Sequence, residues 1–191
     1  VERRGHFLRF ATDADLVLVI NAMLVGGYSL IPRPETQAAG PPARGVAKAR
    51  DPASLMFGLG FEGGPELRYS DEKRMGKVYV ARTADETQIP TYRALGVDVT
   101  DINAFTAEVF RGLLRGRRDQ VRNFVMDKEA LASIGNAYAD EILFAARIHP
   151  KTFCNKLTDD DATRLYGAIG EVLSSATEEI RRRDPPLARL D

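Results

Sequence analysis

The hydrophobic period of this chain changes once and does not change back. Up to about residue 82 the apolar residues fall in short runs broken by turn formers. From Thr100 onward they recur at spacings of three and four. Phe7, Arg9 and Phe10 share the first run, Leu16 to Ile20 is a second, and Leu24 to Ile31 a third, with Gly26-Gly27 marking a bulge or close backbone approach. Leu55 to Leu59, Glu66 to Tyr69 and Lys77 to Val80 follow, and Gly63-Gly64 between two of them signals a hairpin. The second half reads as helices. Ile102, Phe105, Val109, Phe110, Leu113 and Leu114 mark one, Val121, Phe124 and Val125 a second, Tyr138, Ile142, Ala145 and Ile148 a third, and Leu165 to Ile180 a long fourth. Thr158 and Asp161 have capping-box spacing at the start of that last helix. Strands first and helices after give an α+β protein, an antiparallel sandwich or barrel followed by a helical domain, with no βαβ alternation and no parallel sheet. The expected divisions are a β domain over 1–82, a linker over 83–98, a helical domain over 99–184, and a further linker beginning at 185–191 with Pro185-Pro186.

Composition narrows the function. Within 191 residues, 27 Lys and Arg balance 27 Asp and Glu, which excludes a uniformly basic arm but allows a local basic face. A single cysteine, Cys154, excludes a disulfide framework or a four-cysteine zinc site inside the chain. The longest apolar run, Leu16 to Gly27, is too short for a bilayer, which needs about 20 residues. No signal peptide is visible, so membrane partners are not expected and a bacterial, cytoplasmic setting is the default. Pro32 to Pro52 carries five prolines together with Arg33, Arg44, Lys48 and Arg50, and reads as an extended loop.

Three local features bear on chemistry. Gly135 before Asn136 reads as a tight turn with Asn136 at the N-cap of the third helix. Free amides at such a start form a phosphate seat, although an asparagine there also serves as an ordinary cap. Arg111, Arg115, Arg118 and Arg122 would share one face of a continuous helix. Gly116 is expected to break that helix, leaving two clusters of arginines, Arg117 included, suited to a nucleic-acid backbone or simply to solvent. Asp71-Glu-Lys-Arg-Met-Gly76 reads as a hairpin tip presenting Lys73, Arg74 and the apolar wedge Met75, the kind of side chain that fills the gap left by an extruded base. His6, His149 and Cys154 read as structural residues, and Asp159-Asp160-Asp161 as charge favourable to a helix N-terminus.

With these features in hand, the sequence resembles the Fpg/Nei family of DNA glycosylases. Arg117-Arg-Asp-Gln-Val-Arg-Asn-Phe-Val-Met-Asp127, Ile134-Gly-Asn-Ala-Tyr-Ala-Asp-Glu-Ile-Leu-Phe144 and Ala146-Arg-Ile-His-Pro150 look like its helix-two-turns-helix segment. Val1-Glu-Arg-Arg-Gly-His-Phe-Leu8 resembles its Arg-Arg-Gly-Lys-Tyr strand, Asn21-Ala-Met-Leu-Val-Gly26 its His-Leu-Gly-Met-Ser-Gly turn, and Asp71 to Gly76 its Asp-Pro-Arg-Arg-Phe-Gly loop. The resemblance implies a base-flipping repair enzyme that removes oxidised bases from double-stranded DNA and nicks the abasic strand. It would use an N-terminal proline amine as Schiff-base nucleophile and the adjacent glutamate as acid and base. It implies phosphate gripping at Asn136, DNA-facing cations at Arg118, Arg122 and Arg74, and void filling by Leu24, Lys73 and Met75. His6 stands where the family has the lysine that assists elimination, and all three void-filling residues differ from the family's Met, Arg and Phe. A histidine the family carries near Ala53-Ser54 is missing. The Pro-Glu pair is not among these residues, nor is the four-cysteine zinc finger that would follow Arg181 to Pro186. The expectation is therefore an incomplete sandwich and helical domain from a longer, monomeric parent enzyme, without a catalytic residue or zinc site of their own. The alternatives are a non-catalytic nucleic-acid-binding module and a scaffold without affinity for DNA.

Overall fold

The computed structural model describes residues 1–31, 54–62 and 64–182. The proline-rich segment 32–52, Ala53, Gly63 and the expected second linker at 185–191 lie outside the described residues. In the first half, β1 (Glu2–Arg4), β2 (Phe7–Ala11), β3 (Leu16–Asn21), β4 (Gly27–Ile31), β5 (Leu55–Gly60), β6 (Glu66–Ser70) and β7 (Lys77–Arg82) build two antiparallel sheets. One has the order β1-β2-β3-β7, the other β4-β6-β5. β1 has no apolar alternation, its three residues all being exposed, and only its pairing with β2 makes it a strand.

The unbroken apolar run of β3 has a structural reason, since both of its faces are covered. Val17 and Val19 pack with Phe7, Ile89 and Tyr92 on one side. Leu18 and Ile20 pack with Tyr69 and the second sheet on the other. Residues 83–98 supply the first cover. A 3-10 turn at Thr83–Gln88 places Glu86 to accept hydrogen bonds from Arg9 Nε at 2.9 Å and Tyr92 Oη at 2.9 Å.

The helical half comprises α1 (Ala107–Leu114), α2 (Val121–Met126), α3 (Asn136–Ala145) and α4 (Asp159–Arg182) around a separate core that includes Phe110, Phe124, Leu131, Ile142, Leu165 and Ile169. Several expectations are corrected here. The first helix starts at Ala107, not near Thr100. The Asp101 carboxylate captures the Asn103 amide at 2.9 Å and Thr106 caps the helix through the Val109 amide at 3.2 Å, so Ile102 stays in an exposed loop. The third helix ends at Ala145, and Arg147 at φ 56 turns the chain so that Ile148 packs from outside it. Gly26 belongs to the turn before β4. A parallel pair also exists: β8 (Val97–Asp98) lies beside β9 (Leu131–Ala132), two short loop segments drawn together as the chain enters and leaves the first two helices. Gly116, at φ +80, ends α1 as expected, and the Thr158–Asp161 capping box forms in both directions, at 2.9 and 3.1 Å.

Candidate nucleic-acid interface

The turn between α2 and α3 places Arg122 and Asn136 side by side. Arg122, on α2, forms an ion pair with Asp140 of α3 at 2.8 Å and donates to the Asn136 carboxamide oxygen at 3.5 Å. That pairing holds the Asp140 carboxyl below the usual carboxylate range. It also leaves the Asn136 amide hydrogens without an acceptor among the described residues, facing solvent. Asn136 is not the N-cap. Gly135 is, at φ −96 and ψ 177, with no side-chain cap, and Asn136 is the first helical residue. Nor does Gly135 supply the tight turn, because the left-handed residue is Ser133 at φ 85. The first turn of α3 therefore presents its amides beside an exposed asparagine, an arrangement suited to an anion.

The arginine run separates into different roles. Arg117 pairs with Asp119 and Asp127, both at 2.9 Å, and lies over the Phe124 ring. It holds the structure together. Arg111 donates to Thr163 at 3.2 Å. Arg118 is exposed and makes no ion pair with a described residue. It is free to meet a phosphate, but no contact joins it to the Arg122–Asn136 pair.

The two turns expected to carry the wedge are neighbours. Residues 22–26 connect β3 to β4, and residues 71–76 connect β6 to β7. Because β3 pairs with β7 and β4 with β6, Asn21 stands opposite Lys77 and Gly27 opposite Ser70, so the two crossings run together between the sheets. Tyr69 sits between them. A Cβ on Gly26 would come within 2.5 Å of its hydroxyl, and one on Gly76 would overlap that hydroxyl outright. The second turn is organised by Asp71, which is 1% exposed and accepts from the Lys73 amide at 3.1 Å and the Gly76 amide at 2.6 Å. These amide bonds, that from Gly76 foremost, hold its carboxyl below the usual range. The result is a solvent-facing tip at Lys73, Arg74 and Met75, with Arg74 at φ 51 and neither cation in an ion pair with a described residue. Leu24 is 80% exposed and Met75 39% exposed, so each of the two adjacent turns carries an apolar side chain toward solvent.

Residues 95–183 match the H2TH domain of formamidopyrimidine-DNA glycosylase. The chain is similar to the formamidopyrimidine-DNA glycosylases. The enzyme of that name from Thermus thermophilus is 35% identical over 179 residues, covering 93% of this chain and 59% of the relative. That from Moorella thermoacetica is 34% identical over 173 residues, covering 91% and 58%. The crystal structure of the Thermus thermophilus MutM (Fpg) protein aligns with a TM-score of 0.73 at 32% identity, over 93% of this chain and 59% of that one. The Lactococcus lactis Fpg, solved as a complex with DNA containing an abasic site, shares the fold at a TM-score of 0.75 and 24% identity. The chain thus spans about three-fifths of the length of the relatives it matches.

Within the H2TH segment, α2, the double turn at 127–135 and α3 form the helix-two-turns-helix unit, and the Arg122–Asn136 pair bridges its two helices. His6 lies at the β1–β2 turn. Its Nδ1 is buried with no partner among the described residues, and burial together with nearby Lys128 holds its pKa below the ordinary imidazole value. Burial also lowers the pKa of Lys128, a neighbour of His6 that sequence reasoning missed. Arg3, Asp98, Ser133 and Tyr69 were missed too. Arg3 and Tyr69 were legible only as strand residues, since nothing local says what their side chains reach. Among the described residues no group of three or more His, Cys, Asp or Glu side chains is placed to hold a metal.

Proposed function

We propose that these residues are the duplex-gripping and helix-opening part of a base-excision DNA glycosylase and abasic-site lyase that acts on oxidised bases in double-stranded DNA. The observation that carries this reading is the presence, on one molecule, of an open phosphate seat at Asn136 and the first turn of α3, with Arg122 beside it, and an exposed apolar side chain on each of two adjoining turns. The likeness to relatives named as glycosylases, one of them solved on abasic-site DNA, supports it. Arg118 meets a backbone phosphate directly, Arg122 does so by giving up its Asp140 partner, and Asn136 with the first amides of α3 fixes the register. Leu24 and Met75 enter the stack where the base has left, with Lys73 and Arg74 beside them on the strands. Extruding a base costs a few kcal/mol. Fully burying an exposed large apolar side chain returns about 1.5–3 kcal/mol, of which Leu24, 80% exposed, can recover most and Met75, 39% exposed, less than half, so together they offset part of that cost.

Schiff-base cleavage needs a secondary amine: a proline inside a chain has an amide nitrogen, which is not nucleophilic, and only a terminal proline offers that amine. No helix among the described residues is long and apolar enough to cross a membrane. The relatives are bacterial proteins, which supports a cytoplasmic setting. The test is fluorescence anisotropy at fixed salt against two duplexes, one intact and one with a central reduced abasic site. Tighter binding to the abasic duplex supports the reading. Equal, salt-sensitive binding to both would leave a general nucleic-acid-binding module.

A further inference from the structure

The β1–β2 hairpin is fastened to the helical half by one side chain. Arg3 Nη1 donates to Gly5 O at 2.7 Å and to Ser133 Oγ at 2.8 Å. Its Nη2 donates to Asp98 Oδ2 at 2.8 Å and to Thr100 Oγ1. A guanidinium has four η hydrogens, and all four are placed here, with the charge answered by Asp98. The Ser133 hydroxyl is held from both sides, because it also donates to Asp98 Oδ1 at 3.1 Å. Ser133 is the non-glycine residue at φ 85, a conformation that persists only where the surroundings over-determine it. Beyond it come buried Ile134, the cap Gly135, and then Asn136. The hairpin tip itself is pressed against the same segment, since a Cβ on Gly5 would lie 3.2 Å from Leu95 and 3.3 Å from Ala132.

We propose that Arg3 is a positioning residue for the phosphate grip: through Ser133 and Asp98 it holds the entry to α3, and so the placement of Asn136 beside Arg122, without itself touching DNA. The inference rests on the DNA-binding reading above. The planar fork matters more than the charge, because two neighbouring nitrogens must reach two hydroxyls, a carboxylate and a carbonyl together.

The test is a double-mutant cycle on the full chain, read as affinity for the reduced-abasic duplex. Arg3→Gln and Asn136→Ala are each expected to weaken binding about tenfold, as the loss of one hydrogen bond to a charged group does. The double variant should be no weaker than Asn136→Ala alone, within about twofold, because Arg3 acts through Asn136. Arg3→Lys should fail to rescue. Losses that multiply to about a hundredfold, or rescue by lysine, would show Arg3 to be a phosphate contact and overturn the proposal. A second readout needs no DNA. Hydrogen exchange over residues 133–137 should accelerate about tenfold in Arg3→Gln, with protection around Leu165 and Ile169 in α4 unchanged. Unchanged exchange over 133–137 would also overturn it. The expected acceleration together with no duplex binding by the unmodified chain would sink the DNA reading and leave the clamp standing.

Discussion

At the scale of single residues, neighbouring side chains of the same type have different jobs. Arg117 and Arg118 are adjacent, yet one is tied into the fold and the other faces solvent. Arg117→Ala should destabilise by on the order of 1–3 kcal/mol in urea denaturation, because it leaves Asp119 and Asp127 without their partner. Arg118→Ala should leave stability within about 0.5 kcal/mol while lowering the salt slope of DNA binding by about one. Asn136 separates capping from gripping. Loss of a true N-cap costs about 1 kcal/mol. Since Gly135 is the cap, Asn136→Ala should shift stability by clearly less than that while still abolishing the preference for abasic DNA. Asp71 carries a pH dependence. Its pKa is depressed in the folded chain, so its contribution is complete above the unfolded value of about 3.9 and is lost as pH falls through the folded value. Protection of the Gly76 amide, taken relative to its intrinsic exchange rate, should therefore persist at neutral pH and fall only in acid, whereas Asp71→Asn should lower it at neutral pH as well.

At the scale of elements, the sequence was most readable where one face of a segment decides its fate. The spacing of Val121, Phe124 and Val125 is that of α2, and the Thr158 to Asp161 spacing is a capping box because that motif is closed within four residues. It was least readable where a distant partner decides. β1 has no apolar pattern and is a strand only through β2. The start of α1 is set by Asp101 and Thr106 competing for amides, which hydrophobic spacing does not encode. The candidate site divides in the same way. Asn136, Arg118 and the 71–76 tip stand out as residue types in sequence. That turns 22–26 and 71–76 are neighbours follows from strand pairing, which local patterns do not contain. Their common seat gives an element-level expectation. Gly76→Ala should displace the tip and reduce discrimination between abasic and intact duplexes several-fold, with affinity for intact DNA nearly unchanged, as anisotropy on both would show.

At the scale of the molecule, the chain has no single core. The helical half packs around Phe110, Phe124 and Leu165, while the β half has two smaller clusters on either face of β3. The larger core should be the more stable one. Native-state hydrogen exchange should place Leu165 and Ile169 at the highest opening free energies and the β1–β2 hairpin among the lowest. Equal protection in both halves would instead mean that the Arg3 contacts make them one cooperative unit. The balance of charge also acts at this scale. With no net charge to supply long-range attraction, binding should depend on local arginines and so be sharply sensitive to salt.

The fit of Tyr69 between two glycines has an evolutionary consequence. Trimming only its hydroxyl would not make room for a methyl group at position 76, because the ring carbon Cζ and Asp71 Oδ2 would each still lie 3.0 Å away. The ring and the Asp71 carboxylate must both give way as well. Positions 69, 71 and 76 should then covary across homologous sequences, whereas Gly26, whose added Cβ would also clash with the Ala22 backbone oxygen, should stay glycine whatever occupies 69. The second turn is inherited together with the two side chains beneath it, and a lineage cannot retune it while leaving those positions alone.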